Sequence, residues 1–205
     1  MLLCVYTMKI RLSKYFNIAI KVLLVCLVLH AVAFPDLPQY ANKGMSFRVV
    51  LYPLVASIGL ILYGLRRLRG KHITDYPHAA DALLTLSIAS DMIGNTLNLF
   101  DTIVWWDDLM HVAASIPLVL AVGLLLKRNK KLSQPTIAGL TLGFGAVFYI
   151  LWEIAEYLAF VPNNPLEAPS AYRDTIGDLA LSLLGSAIGA LIAASLPRPG
   201  SKSKP

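Results

Sequence analysis

Six apolar stretches, each long enough to cross a lipid bilayer as a helix, divide this chain of 205 residues. They cover 16–34, 47–65, 81–100, 109–126, 137–160 and 176–196. Crossing the hydrocarbon core takes about 20 apolar residues at roughly 1.5 Å rise each. Lipid offers the backbone no hydrogen bonds, so such stretches must be helical. The expectation is an all-α, polytopic membrane helix bundle of about six transmembrane helices. It forms a single domain over 1–196, with a disordered tail over 197–205. The third stretch is the weakest, because it contains Asp91, Asn95 and Asn98. The linkers are short, so consecutive helices should run antiparallel.

Charge placement orients the helices. Lys9, Arg11 and Lys14 precede the first stretch, and Arg66, Arg67, Arg69 and Lys71 follow the second. Lys127, Arg128, Lys130 and Lys131 follow the fourth, and Arg198, Lys202 and Lys204 form the tail. Only Lys43, Arg48 and Arg173 fall in the alternate loops. That alternation puts both termini of this multi-pass chain in the cytoplasm. The net charge of +6 is therefore a topology signal. No basic face interleaved with aromatics suggests nucleic acid. Cys4 and Cys26 match no metal or redox spacing. The first stretch, ending near Ala31-Val32-Ala33, could also be a signal peptide. It is longer than the usual apolar region of about 7–15 residues, so an uncleaved helix is expected.

The acidic residues are spread unevenly. Asp75 and Asp81 lie near the inner side, and Asp36 and Glu167 lie in outer loops. The other eight of twelve gather on the outer half of helices three to six. Asp91, Asn95, Asn98 and Asp101 are spaced to share one stripe of a helix. Asp107 and Asp108 precede His111 by four and three residues, so either could meet it on one helix face. Trp105 and Trp106 beside them suit the membrane interface. Glu153 and Glu156 lie three apart near the outer end of the fifth helix, and Asp174 and Asp178 lie four apart at the sixth. Ser182, Gly185 and Gly189 continue that last face and permit close helix packing.

Each motif has a plain structural reading. Asp107, Asp108, Asp174 and Asp178 could simply favour helix N-termini. Asn95 and Asn98 could join helices by hydrogen bonds. Tyr149, Trp152 and Tyr157 suit packing or the membrane interface, and His30 has no evident partner. The glutamates are harder to explain this way. A charge at a helix centre costs about 2.5–3.5 kcal/mol on insertion scales. Carboxylates without basic partners repel one another. A bound metal, an organic cation or protonation could resolve that repulsion.

These residues resemble the YjdF-like family of bacterial inner-membrane proteins. Its motifs appear here as Asp107 to His111, Glu153 to Glu156, and Asp174-Thr175-Ile176-Gly177-Asp178. The resemblance covers roughly 81–196 and implies an inner-membrane protein without an assigned reaction. The same half is similar to the VanZ-like family, associated with glycopeptide resistance, through Asp178, Ser182, Gly185 and Gly189. There Ser182 stands where Asn is usual, and Glu156 where Gln is usual, which favours the first family.

The leading functional expectation is a metal-dependent membrane enzyme acting on a lipid or lipid-linked substrate at the outer leaflet. Asp107, His111, Glu153 and Asp178 are the expected ligands and Glu156 the general base. Asp91, Asn95, Asn98, Asp108 and Asp174 are the other expected pocket residues. Oxygen donors with one imidazole suit Mg²⁺ or Mn²⁺, and less well Zn²⁺ or Fe²⁺. The rivals are a transporter or proton-coupled permease, and a non-catalytic structural or regulatory membrane protein. The apolar inner halves of helices four to six weigh against a transport path.

Overall fold

A computed structural model describes residues 2–41, 43–70, 76–160 and 168–198. Lys71, Asp75, Glu167, Lys202, Lys204 and the tail segment 199–205 lie outside these. The described elements are helices: α1 (Leu2–Ala33), α2 (Met45–Leu68), α3 (His78–Thr96), α4 (Leu99–Thr102), α5 (Trp106–Leu126), α6 (Gln134–Phe160) and α7 (Ala168–Ser195). A single 3₁₀ turn, Pro38–Tyr40, lies between α1 and α2. Among the described residues, five segments are long and apolar enough to cross a membrane: Ser13–Ala33, Met45–Leu68, Trp106–Leu126, Gln134–Leu158 and Pro169–Ser195. Their outward faces carry exposed apolar side chains such as Leu54, Leu62, Leu151 and Leu191. Lipid would cover such faces.

The third expected span is α3, at 19 residues long enough to cross but too polar to join those five. It ends at Thr96, two residues before Asn98, whose φ of 57° is left-handed. Asn tolerates that conformation better than most residues. The stripe expected through Asp91, Asn95, Asn98 and Asp101 on one helix is therefore broken after Asn95. Asp101 lies in α4 and pairs with Lys43 at 2.7 Å.

The single domain expected over 1–196 packs as two compact units, Met1–Thr102 and Ile103–Pro205. In the first, α1 lies along α3, with α2 packed on both. The seams between them carry polar contacts. Lys21, within the apolar part of α1, donates to Asp81 Oδ1 at 3.1 Å, to Thr85 at 3.2 Å and to the carbonyl of Ala56. Asp81 Oδ2 accepts from Asn17 at 2.8 Å and from the Tyr76 hydroxyl at 2.7 Å. A Cβ on Gly59 would lie 2.8 Å from that hydroxyl, so a side chain there would displace Tyr76 from Asp81. Asp91 accepts from Arg48 at 3.0 Å and from Tyr52 at 2.7 Å.

In the second unit α7 packs against both α5 and α6. A Cβ on Gly185 would collide with the backbone carbonyl of Val112, and one on Gly189 would come within 2.8 Å of that of Ile116. These glycines bring α5 and α7 to close approach, as their spacing suggested. The opposite end is clasped by side chains. Lys127 donates to the carbonyls of Ala194 and Leu196, and Arg198 to those of Lys130 and Leu132. Burial and the nearby Arg198 charge push the Lys127 pKa down.

Candidate functional site

The site lies in the second unit and is built around one imidazole. His111 occupies the second turn of α5, five residues beyond Trp106, or about 7–8 Å along the axis. It is buried between α6 and α7 by the close approach that Gly185 allows. Its Nε2 is 3.6 Å from Asp107 Oδ1 and 3.5 Å from Asp178 Oδ1. Its Nδ1 is 3.0 Å from the Ser182 hydroxyl and 3.8 Å from Glu153 Oε1. Ligand atoms of Asp107, His111 and Asp178 lie within 4.8 Å of one another, and so do those of His111, Glu153 and Glu156. The imidazole thus belongs to two acidic triads, one on each ring nitrogen.

Burial deepens inward. Asp108 and Asp174 are exposed, the Asp107 side chain is 47% exposed, and Glu156 is half-buried. Asp178 and Glu153 are only 5% and 4% exposed. All of them are electrostatically linked. Glu156, Asp178, Asp107 and Asp174 act on Glu153, and Asp107, Asp174, Glu156 and Asp108 act on Asp178. Among the described residues, His111 is the one basic group within ion-pair distance of Glu153 or Asp178. Among the described residues, fully buried Glu153 Oε1 has no hydrogen-bond partner. A buried acceptor left unsatisfied costs about 1–3 kcal/mol, and more when charged.

The helix starts separate the capping readings. α7 begins at Ala168, eight residues before the 176 boundary expected from the sequence. Asp174 and Asp178 are therefore interior residues, not N-terminal caps. Asp107 and Asp108 do sit in the first turn of α5, but the N-cap there is Trp105, without a side-chain capping bond.

The expected pocket residues divide between the units. Asp107, Asp108, His111, Glu153, Glu156, Asp174 and Asp178 come together in the second. Asp91, Asn95 and Asn98 belong to the first, where Asp91 is engaged by Arg48 and Tyr52. Asn95 is buried and donates back to the carbonyl of Asp91 at 2.9 Å. The impression that Asp91 lacked a basic partner is corrected by Arg48. His30, expected to have no partner, meets the Tyr40 hydroxyl at 2.7 Å, which donates onward to Thr96 at 3.0 Å. Tyr149 packs on Phe148, as expected for a packing residue.

Sequence reasoning missed two groups. Lys21 was overlooked because charge counting weighs loops, although a lysine inside an apolar run asks for a buried partner. Ser115, Thr141 and Ser186 were overlooked because single hydroxyls barely change hydropathy. All three are fully buried, as is Ser182.

A comparison with family models matches residues 18–198 to the family described as "Predicted membrane protein (DUF2238)". That family is consistent with the YjdF-like resemblance. Among curated proteins and solved structures, none matches. The chain belongs to the DUF2238 family of membrane proteins.

Proposed function

We propose that this DUF2238 protein is a metal-dependent enzyme of the inner membrane, acting on a lipid or lipid-linked substrate at the outer leaflet. The observation that carries the reading is His111 Nε2, held 3.6 and 3.5 Å from the carboxylates of Asp107 and Asp178. Ligands at about 2.0–2.2 Å from a shared ion have such mutual separations. Three protein ligands leave a position open, the mark of catalytic rather than structural ions. Half-exposed Asp107 marks the open side. An ion there would activate a bound water or polarise a substrate oxygen. Asp107, His111 and Asp178 would hold the ion, and Ser182 fixes the imidazole from its Nδ1 side. Exposed Trp105 supports an opening at headgroup level. Glu153 and Glu156, expected as ligand and base, lie at the opposite nitrogen, so the three-residue set on Nε2 is the better ion site.

A transport path has one observation in its favour. Ser182, Ser186, Ser115 and Thr141 put buried hydroxyls along the helix seam towards buried Lys127. Val119 and Ile137, both fully buried, interrupt that seam with apolar side chains, so the enzyme reading is preferred.

The test is metal-dependent stability of the full chain in mild detergent. Chelation should lower Tm, and one of Mg²⁺, Mn²⁺, Zn²⁺ or Fe²⁺ should restore it. Saturation at about 100 times Kd is worth roughly 2.7 kcal/mol. His111→Ala and Asp178→Asn should each abolish the response, and the double variant should lose little more, because one site is being removed. A wild-type protein with no stoichiometric metal and a Tm indifferent to chelators would end the reading.

A further inference from the structure

A neutral imidazole has one lone pair and one N–H. Two acidic triads claim His111, and only one of them can hold an ion through it. The lone pair belongs on Nε2, between Asp107 and Asp178. The proton then sits on Nδ1, 3.0 Å from the buried Ser182 hydroxyl that accepts it. Ligating histidines commonly donate their other N–H in this way. The Nδ1 side therefore offers a metal two carboxylates and no imidazole lone pair. Yet among the described residues Glu153 Oε1 is buried there without a hydrogen-bond partner.

We propose that Glu153 and Glu156 form a subsite for a primary ammonium group of the substrate, on the side of His111 opposite the ion. The proposal rests on the metal-dependent reading above and names the substrate class that reading lacks. A primary ammonium brings a positive charge and three N–H donors, and needs only acceptors in return. Glu153 Oε1 is a buried acceptor that lacks a donor, and half-buried Glu156 offers a second carboxylate beside it. Exposed Asp108 and Asp174, with half-exposed Asp107, add negative charge nearby, which favours cations over anionic headgroups. The unsatisfied oxygen calls for a donor, so an amine with N–H fits and a quaternary ammonium does not. Two sources share this chemistry: the headgroup of an aminated lipid and a soluble amine.

The experiment uses the full chain loaded with the metal that stabilises it. In detergent, Tm is followed against ethanolamine and against choline. In nanodiscs, it is compared between phosphatidylcholine alone and phosphatidylcholine with phosphatidylethanolamine. Ethanolamine, free or as headgroup, should stabilise saturably, and choline should not. Stabilisation by the lipid alone identifies the headgroup as the source; stabilisation by free ethanolamine as well identifies the amine itself. Glu153→Gln and Glu156→Gln should each weaken the ethanolamine response about tenfold or more, since a charge-assisted bond is lost. Both variants should keep the metal response, which also reports that they fold. Equal effects of ethanolamine and choline, or a Glu153→Gln protein that still responds to ethanolamine, would overturn the proposal. If Glu153→Gln instead abolishes the metal response, Glu153 is an ion ligand and the subsite is refuted while the metal reading stands. A wild-type protein lacking any metal response refutes the metal reading itself.

Discussion

The two units treat buried carboxylates in opposite ways. In the first, Asp81 meets Lys21 and Asp91 meets Arg48, each with further donors from a tyrosine. In the second, Asp178 and Glu153 share one imidazole, and among the described residues Glu153 keeps an oxygen without a donor. The difference separates carboxylates paired with a lysine or arginine from carboxylates gathered around a single imidazole, although both are Asp or Glu in apolar helices.

The largest expected effect tests the first half of that contrast. Lys21→Met should destabilise the protein by about 3–5 kcal/mol, because it leaves Asp81 buried without its cation. Adding Asp81→Asn should recover much of the loss. Unfolding of the single and double variants in detergent measures both. A Lys21→Met protein as stable as wild type would erase the distinction between the units.

A smaller effect of opposite sign is expected in the second unit. Without metal, Glu153→Gln orphans no cation and removes an acidic group that burial and four neighbouring carboxyl groups accommodate poorly. Metal-free Tm should rise by a few degrees, about the size of a 1 kcal/mol gain. A fall comparable to that of Lys21→Met would make Glu153 another structural residue.

The smallest effect sharpens the account of the first unit. Burial and the charge of Lys14 lower the pKa of His78, with Asp81 opposing. Its Nδ1 lies 3.3 Å from the Asn17 amide and accepts from it when unprotonated. A lowered folded pKa means that the unfolded chain binds the proton more readily. Stability should therefore fall as pH drops from about 6.5 through the folded pKa, and return as pH rises again. His78→Gln should flatten this slope in unfolding measured between about pH 5 and 7.5. An unchanged slope would remove His78 from the network.

Much of this was legible in the sequence, because length and hydropathy act over whole segments. Five of the six expected spans appear as long apolar helices. The acidic motifs on α5, α6 and α7 converge because residues three and four apart share a helix face. Partner choice was less legible. Nothing local says that Lys21 meets a residue 60 positions away, or that Arg48 meets one 43 away. Helix ends also escaped hydropathy, since α7 continues through Ser170, Tyr172, Arg173, Asp174 and Thr175, which lower the hydropathy of its first turns. The left-handed Asn98 broke a stripe that periodicity alone would continue.

The Lys21–Asp81 contact also bears on biogenesis. Segments leave the ribosome in chain order, so α1 and α2 emerge before α3. On its own α3 is a poor candidate for release into lipid, with Asp81 and Asp91 both in its sequence. When it arrives, Lys21 and Arg48 are already made and can neutralise those charges. Insertion of α3 should then be conditional on its predecessors, a chaperone-like duty performed by the chain's own first helices. Cutting the chain after Ala33 would take away Asn17 and Lys21, and with them the means of admitting α3.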